Sequence, residues 1–304
     1  MRWTWALIAT GIACTSEDPP GQLMLAVTSD LLPADDIDRL IIEMKRPEGS
    51  ILKRESFDLG PPTGSTLPAT LGITAATAPD SPLVIRVHAY SNTDEVYVLR
   101  EVVTSIPADR IALVRTPLEF LCFGSGYYIL EQDYVEAQCL NETTCKGGVC
   151  EPPEIIQPAL PTYDEALLFG GCFDTLDCFA GDRGAVSVVA PPTGANPCTV
   201  PIPNAMQVAN VALVTDGRHG TCYGGGACLV PLDPELPSGW SADATTITLP
   251  PGVCNPPPWF VGTVTRVALT PACERKTPEL AVCGKGSAVG PGAASSLPPP
   301  MEIP

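Results

Sequence analysis

Apart from Cys14, the first 121 residues contain no cysteine, and no Cys-x-x-Cys occurs anywhere in the chain. The second absence removes thioredoxin-type redox chemistry and the usual zinc ligand pair, because the short gaps between cysteines are x5, x4, x5 and x5. Histidine is nearly missing as well. His88 and His219 are the only two, which excludes a three-histidine metal site. No G-x-S-x-G offers a serine nucleophile, and no Lys-Ser/Thr follows the glycine run at 224–226 to make a phosphate loop. Basic residues are scarce, 17 Lys and Arg against 34 Asp and Glu, for a net charge of −17. The deficit is present in both parts: ten basic against sixteen acidic residues in 1–121, seven against eighteen in 122–304. A phosphate backbone is repelled by both, so a nucleic-acid partner is excluded on electrostatic grounds. No run of about 18 apolar residues is present to cross a bilayer as a helix. Yet only 17% of residues are charged and 45% are apolar, which excludes an acidic disordered chain and requires a folded core.

What is present begins with an export signal. Arg2 precedes the apolar run 3–13, which ends in Gly11-Ile12-Ala13-Cys14. Eleven helical residues reach about 16 Å, roughly half the hydrocarbon thickness, so the run is a leader and not an anchor. Ala13 before Cys14 matches a bacterial lipobox, although Gly11 stands where that motif carries Leu. Cys14 is therefore the expected lipidation site, giving a membrane partner through acyl chains. Ordinary cleavage after Ala13, leaving Cys14 as a thiol, is the plainer alternative. Thr15 and Ser16 follow, without Asp, which by resemblance to bacterial lipoproteins implies the outer membrane or cell surface. Removing Cys14 from the 13 cysteines leaves twelve, all in 122–304: Cys122, Cys139, Cys145, Cys150, Cys172, Cys178, Cys198, Cys222, Cys228, Cys254, Cys273 and Cys283. An even number in an oxidising compartment predicts six disulfides, each stabilising by about 2–4 kcal/mol. The local pairs expected are Cys222–Cys228, around three glycines, and Cys172–Cys178. Alternating Cys122–Cys145 and Cys139–Cys150 are expected between them in the connector.

The fold class expected is mostly β. Signal peptide 1–13 and linker 14–21 lead into an immunoglobulin-like or transthyretin-like β-sandwich over 22–121. Leu23, Leu25 and Val27 alternate on one strand, and runs 37–45 and 51–59 flank the turn Pro47-Glu48-Gly49-Ser50. In 83–90, Leu83, Ile85, Val87 and Ala89 face one way and Val84, Arg86, His88 and Tyr90 the other, so His88 is expected in solvent. Further strands are expected at 95–100, 111–115 and 118–122. Residues 122–162 form a cysteine-rich connector, and 163–283 a second β-rich domain of sandwich or jelly-roll type. Residues 122–304 carry 24 of the 35 prolines, so long helices are excluded and only a short one at 163–169, capped by Thr162, is expected. Strand-like runs fall at 186–190, 208–215, 227–232, 245–249 and 261–269. The Gly/Ala/Ser/Pro-rich tail 284–304 is expected to be disordered.

The chain also resembles a known group. A lipoprotein signal is followed by "TSDL", "DIDRLIIEM", "LPATLGI", "VIRVHAY", "VLREVVTSIPADRIALVRTPLEFLC", C-x5-C-x4-C and "ALPTY". Over about residues 1–165 this order resembles secreted lipoproteins of myxobacterial type. The resemblance implies a β-sandwich, a disulfide-bonded connector and a variable C-terminal module, and it brings no functional residues with it.

Candidate chemistry is sparse. Asp216, Arg218 and His219, between glycines in "TDGRHGTCYGGGAC", are the one suggestive ligand loop, with Asp216 and His219 a potential orienter–base pair. The plain alternative is a glycine-rich loop stapled by Cys222–Cys228. The carboxylates Asp35, Asp36 and Asp38, and Asp174 and Asp177, fit no calcium loop and read as solvated turns and helix starts. Tyr223, Trp240, Trp259 and Phe260 could form a carbohydrate platform, although core positions suit the tryptophans better. No catalytic residue, metal ligand or cofactor is assigned. The functional expectation is a surface-anchored, non-catalytic recognition or adhesion module binding a surface glycan or protein. The alternatives are an envelope spacer without a ligand and a secreted hydrolase.

Overall fold

A computed structural model describes residues 21–60, 64–75, 81–91, 96–129, 134–165, 171–180, 186–191, 193–195, 197–203, 206–217, 219–223, 226–234, 239–278, 280–284 and 301–303. The signal, Cys14, Arg218 and most of the helix expected at 163–169 lie outside them. The class is mostly β, as expected.

Among the described residues of the N-terminal half there are seven strands: β1 Gln22–Ser29, β2 Arg39–Lys45, β3 Ile51–Asp58, β4 Ala69–Ala75, β5 Pro82–Tyr90, β6 Val96–Ser105 and β7 Ile111–Leu118. The connector adds β8 Gly126–Ile129, β9 Tyr134–Ala137, β10 Thr144–Lys146 and β11 Val149–Glu151. The C-terminal half holds β12 Cys172–Phe173, α1 Thr175–Phe179, β13 Ser187–Val189, β14 Thr199–Pro201, β15 Asn210–Thr215, β16 Thr221–Tyr223, β17 Ala227–Leu232, β18 Ser241–Ala242, β19 Thr246–Thr248, α2 Pro251–Cys254, β20 Val264–Thr270 and β21 Ala281–Val282. At the end of the tail, β22 Met301–Ile303 runs parallel to β4, a departure from a wholly disordered 284–304.

Two sheets organise the first half, one ordered β22-β4-β1-β7 and the other β3-β2-β5-β6. Strict alternation aims Leu23, Leu25 and Val27 of β1 at Ile85, Val87 and Ala89 of β5, and all lie in one buried cluster. The β2–β3 hairpin closes at Gly49, whose φ of 95° suits a residue without Cβ, and its N–H donates to Arg46 O at 2.8 Å. Residues 118–122 do not complete a strand. Phe120–Cys122 form a single 3-10 turn, because Asp30 Oδ1 accepts the Phe120 N–H at 2.7 Å and the Cys122 N–H turns back to Glu119 O at 2.9 Å.

That turn carries the core into the second half. Phe120 and Phe123 share one cluster with Val211, Leu213, Val230 and Trp240. Here a five-stranded sheet, β13-β20-β15-β17-β16, buries Ala212, Val214 and Leu229 on its other face against Phe173 and Phe179. Asp174 caps α1 by accepting the Asp177 N–H at 2.9 Å, the helix-start role expected of that pair. The halves approach closely at glycines. A Cβ on Gly124 would stand 2.2 Å from Trp259 O, and one on Gly252 would stand 2.6 Å from the Gly148 Cα.

Six disulfides close the chain: Cys122–Cys145, Cys139–Cys150, Cys172–Cys283, Cys178–Cys273, Cys198–Cys254 and Cys222–Cys228. The connector pairs and the Cys222–Cys228 loop are those expected. Cys172–Cys178 is not formed. Asp174 starts a helix between the two cysteines, which sends Cys178 to Cys273 and leaves Cys172, on β12 beside β21, to Cys283.

Candidate functional site

Sequence alternation divides β5 into two faces, and the expectation that the polar one meets solvent is wrong. His88 is 1% exposed, Arg86 3% and Tyr90 3%. The connector folds back over this face. Val135, with Tyr128 and Ala137 of the β8–β9 hairpin, packs on Ile41, Tyr90 and Leu99. It also satisfies the outer edge of β6, one N–H at a time. Leu99 N–H donates to Ser125 Oγ at 3.0 Å, Glu101 N–H to Thr144 Oγ1 at 2.8 Å and Val103 N–H to Pro153 O at 3.1 Å.

Beneath this cover runs a ladder of alternating charge. Strand register sets Arg54 opposite Glu43, Glu43 opposite Arg86, and Arg86 opposite Glu101, so one rung crosses β3, β2, β5 and β6. Arg54 Nε is 3.5 Å from Glu43 Oε1, and Arg86 Nε is 3.1 Å from Glu101 Oε2. Glu43 Oε2 lies 3.1 Å from Lys45 Nζ, 3.4 Å from His88 Nε2 and 3.9 Å from Arg86 Nη1. Arg86 Nη2 donates to Val135 O at 3.0 Å, tying the ladder to its roof. Burial alone would raise the Glu43 carboxyl. The proximity of His88 and then of Lys45, 3.4 and 3.1 Å from Oε2, outweighs it and brings Glu43 down to about 2. Burial pushes His88 below its ordinary value, against the pull of Glu43, and burial pushes Glu101 up against the pull of Arg86. His88 Nδ1 has no hydrogen-bond partner among the described residues.

Where the roof stops, the same face opens as a groove of about 580 Å³. Lys45, Arg86 and Glu101 lie on its floor. Arg46 and Gly49 of the β2–β3 turn form one wall, and Asn141 and Glu154 of the connector the other. The connector wall is held by Cys122–Cys145 and Cys139–Cys150. Nothing in the sequence placed the connector here, since its side chains reach back about 40 positions to find the sheet. The alternation of Arg86 and His88 was the only available signal.

The residues singled out from sequence fall elsewhere. His219 Nδ1 stands 3.1 Å from Asp36 Oδ1, and Arg218 lies outside the described residues. Asp36 is buried rather than solvated, and its Oδ2 accepts the N–H groups of Leu32 at 2.8 Å and Gly220 at 3.2 Å. The His219 ring is 4.5 Å from that of Phe123 and 5.8 Å from that of Phe120, so the loop serves as a clamp between the halves. Asp30 and Glu119 lie at the same seam. Burial, and then Glu119, drives the Asp30 carboxyl well above its usual range. The aromatic platform does not form. Trp240 is 1% exposed, with Nε1 donating to Leu232 O at 3.2 Å, and Phe260 packs edge-on to Phe120 at 5.4 Å. Tyr223 alone of the four is exposed, at 39%. No group of three His, Cys, Asp or Glu side chains suited to a metal occurs among the described residues.

No protein-family model and no curated protein matches the chain. Among solved structures, a leucine-rich repeat protein from Bacteroides thetaiotaomicron VPI-5482 aligns at 7% identity with a TM-score of 0.19, covering 88% of this chain and 27% of its own. The chain thus spans about a quarter of that protein's length, and the likeness is too slight to speak to fold or function.

Proposed function

We propose that this chain is a surface-anchored, non-catalytic recognition module, held at the outer membrane or cell surface through lipid on Cys14, that takes a protein or carbohydrate ligand. One observation carries the reading: a groove of about 580 Å³ between the β3-β2-β5-β6 sheet and a wall pinned by two disulfides. Its size falls within the range of about 300–1,000 Å³ usual for ligand sites, and a wall fixed before binding lowers the entropic cost of association. A screen of the purified, oxidised protein against glycans and cell-envelope fractions tests the reading. Saturable binding that disappears when Cys139–Cys150 is reduced supports it, and binding that is indifferent to reduction counts against the groove.

A second reading, an envelope spacer without a ligand, draws on the single buried cluster that runs from the first half into the second and makes the two rigid together. It predicts that no partner binds saturably, and that fusing the halves through a flexible insert near Phe123 abolishes the function.

A further inference from the structure

The floor of the groove offers no free backbone. β2 is paired with β3 and β5, and β5 with β2 and β6. The β6 edge is occupied at this point by the connector, where Val103 N–H donates to Pro153 O at 3.1 Å and Ile155 N–H donates to Val103 O at 2.9 Å. An extended peptide that binds by adding a strand has nothing to pair with here. Recognition falls to side chains.

Those side chains cancel in charge, with Lys45, Arg46 and Arg86 set against Glu101, Glu142 and Glu154. On the floor the charges are already matched, Lys45 to Glu43 at 3.1 Å and Arg86 to Glu101 at 3.1 Å. A ligand with net charge must disrupt one of these pairs and strand a partner in a buried site, which is costly. A hydroxyl group avoids that cost. It donates to a carboxylate and accepts from an ammonium or guanidinium through the same oxygen. Asn141 at the rim has the same double capacity, and Val84, Val103 and Pro153 supply carbon surface between the polar groups.

We infer that the groove is a binding site for a short, neutral oligosaccharide, whose hydroxyls are held by Glu101 on the floor and by Asn141 at the rim, above Lys45 and Arg86 buried in their ion pairs. The inference rests on the recognition reading above and narrows its ligand.

Titration of the purified, oxidised protein with neutral, anionic and cationic oligosaccharides, followed by amide NMR, tests it. A neutral oligosaccharide should shift the amides of Lys45, Arg86, Glu101 and Thr143 saturably. Its affinity should change by less than about twofold between low and high salt, since no net charge is exchanged. Asn141→Trp, at the exposed rim, should fill the mouth and weaken binding by about tenfold or more, and Glu101→Gln should weaken it comparably by turning one of two acceptor oxygens into a donor. Shifts from a neutral glycan confined to other surfaces, or unchanged affinity in both variants, overturn the site. A groove that takes only charged glycans or a peptide overturns the ligand class while the recognition reading stands. No binding of any glycan or envelope protein overturns both.

Discussion

Asp36 and His219 are 183 positions apart in sequence and 3.1 Å apart in space, and their contact closes the seam between the halves. Asp36 also accepts the N–H groups of Leu32 and Gly220, so one buried carboxylate holds a turn after β1 and a loop before β16. Asp36→Ala strands those donors. The expected loss is about 3 kcal/mol in chemical denaturation of the oxidised protein, with faster hydrogen exchange at Gly220. A loss below about 1 kcal/mol with Gly220 still protected would mean the halves are held by apolar burial alone.

Acid should loosen the roofed face of the sheet. His88 is buried with its pKa pushed below the ordinary 6.5, so below that pH the unfolded chain binds a proton that the folded chain refuses. Stability therefore falls as pH drops from about 6.5. Glu43, held at about 2 against an ordinary 4.5, adds a second loss as pH falls from 4.5 toward 2. Glu101 works in the other direction: its raised carboxyl takes its proton first in the folded state, which gains stability as pH falls through that value. Lys45 and Arg86 face His88 from the sheet, and both oppose its charging. His88→Phe isolates the first effect. The drop in denaturation midpoint between about pH 7.5 and pH 5.5 should shrink in the variant relative to wild type. An equal drop in both would assign the loss to other groups.

The six disulfides should not be equal. Cys172–Cys283 closes 111 positions and Cys222–Cys228 only 6. Because Cys178–Cys273 sits inside it, the loop that Cys172–Cys283 closes is under twenty residues in the cross-linked chain, and chain entropy then predicts a loss of about 3 kcal/mol for the paired Cys172→Ala and Cys283→Ala substitutions, against about 2 kcal/mol for Cys222→Ala with Cys228→Ala. Denaturant titrations of the two double variants check the order. A reversed order would show that constraint of the unfolded chain is not what these bridges contribute.

Cys14→Ser should move the protein from the membrane fraction to the soluble fraction and abolish labelling by a radioactive fatty acid. A wild-type protein that is soluble and carries a free thiol at Cys14 would remove the anchor from the functional reading.

Much of the strand pattern is readable from residue alternation, because a strand's two faces are a local property. Ile85 and Val87 reach the core as their spacing requires, and Gly49 turns the hairpin where a positive φ is needed. What covers the opposite face is not local. Arg86 and His88 look like solvent-facing residues until Val135, 49 positions past Arg86, accepts the Arg86 hydrogen bond. The connector bridges were legible because their cysteines are crowded into one small segment. Cys172 and Cys178 were not, since a capped helix turns the two sulfurs toward different partners. Asp36 escaped as a functional neighbour of His219 for the same reason of distance: nothing near Asp36 in sequence hints at the loop it meets.

The parallel pairing of β1 with β7 has a mechanical consequence. The two strands match over eight positions, from Gln22 beside Ile111 to Ser29 beside Leu118, and β4 flanks β1 on its other side over six. The chain enters β1 at Gln22 and leaves β7 at Leu118. A pull on the start of the chain, resisted by the rest of the molecule, therefore acts along the two strands in opposite directions. The rungs are loaded in shear and must yield together, whereas an antiparallel hairpin pulled from its open end peels one rung at a time. Drawing β1 out would also drag Leu23, Leu25 and Val27 from the core into water. Tension applied ahead of Gln22 thus meets a joint whose eight positions share the load.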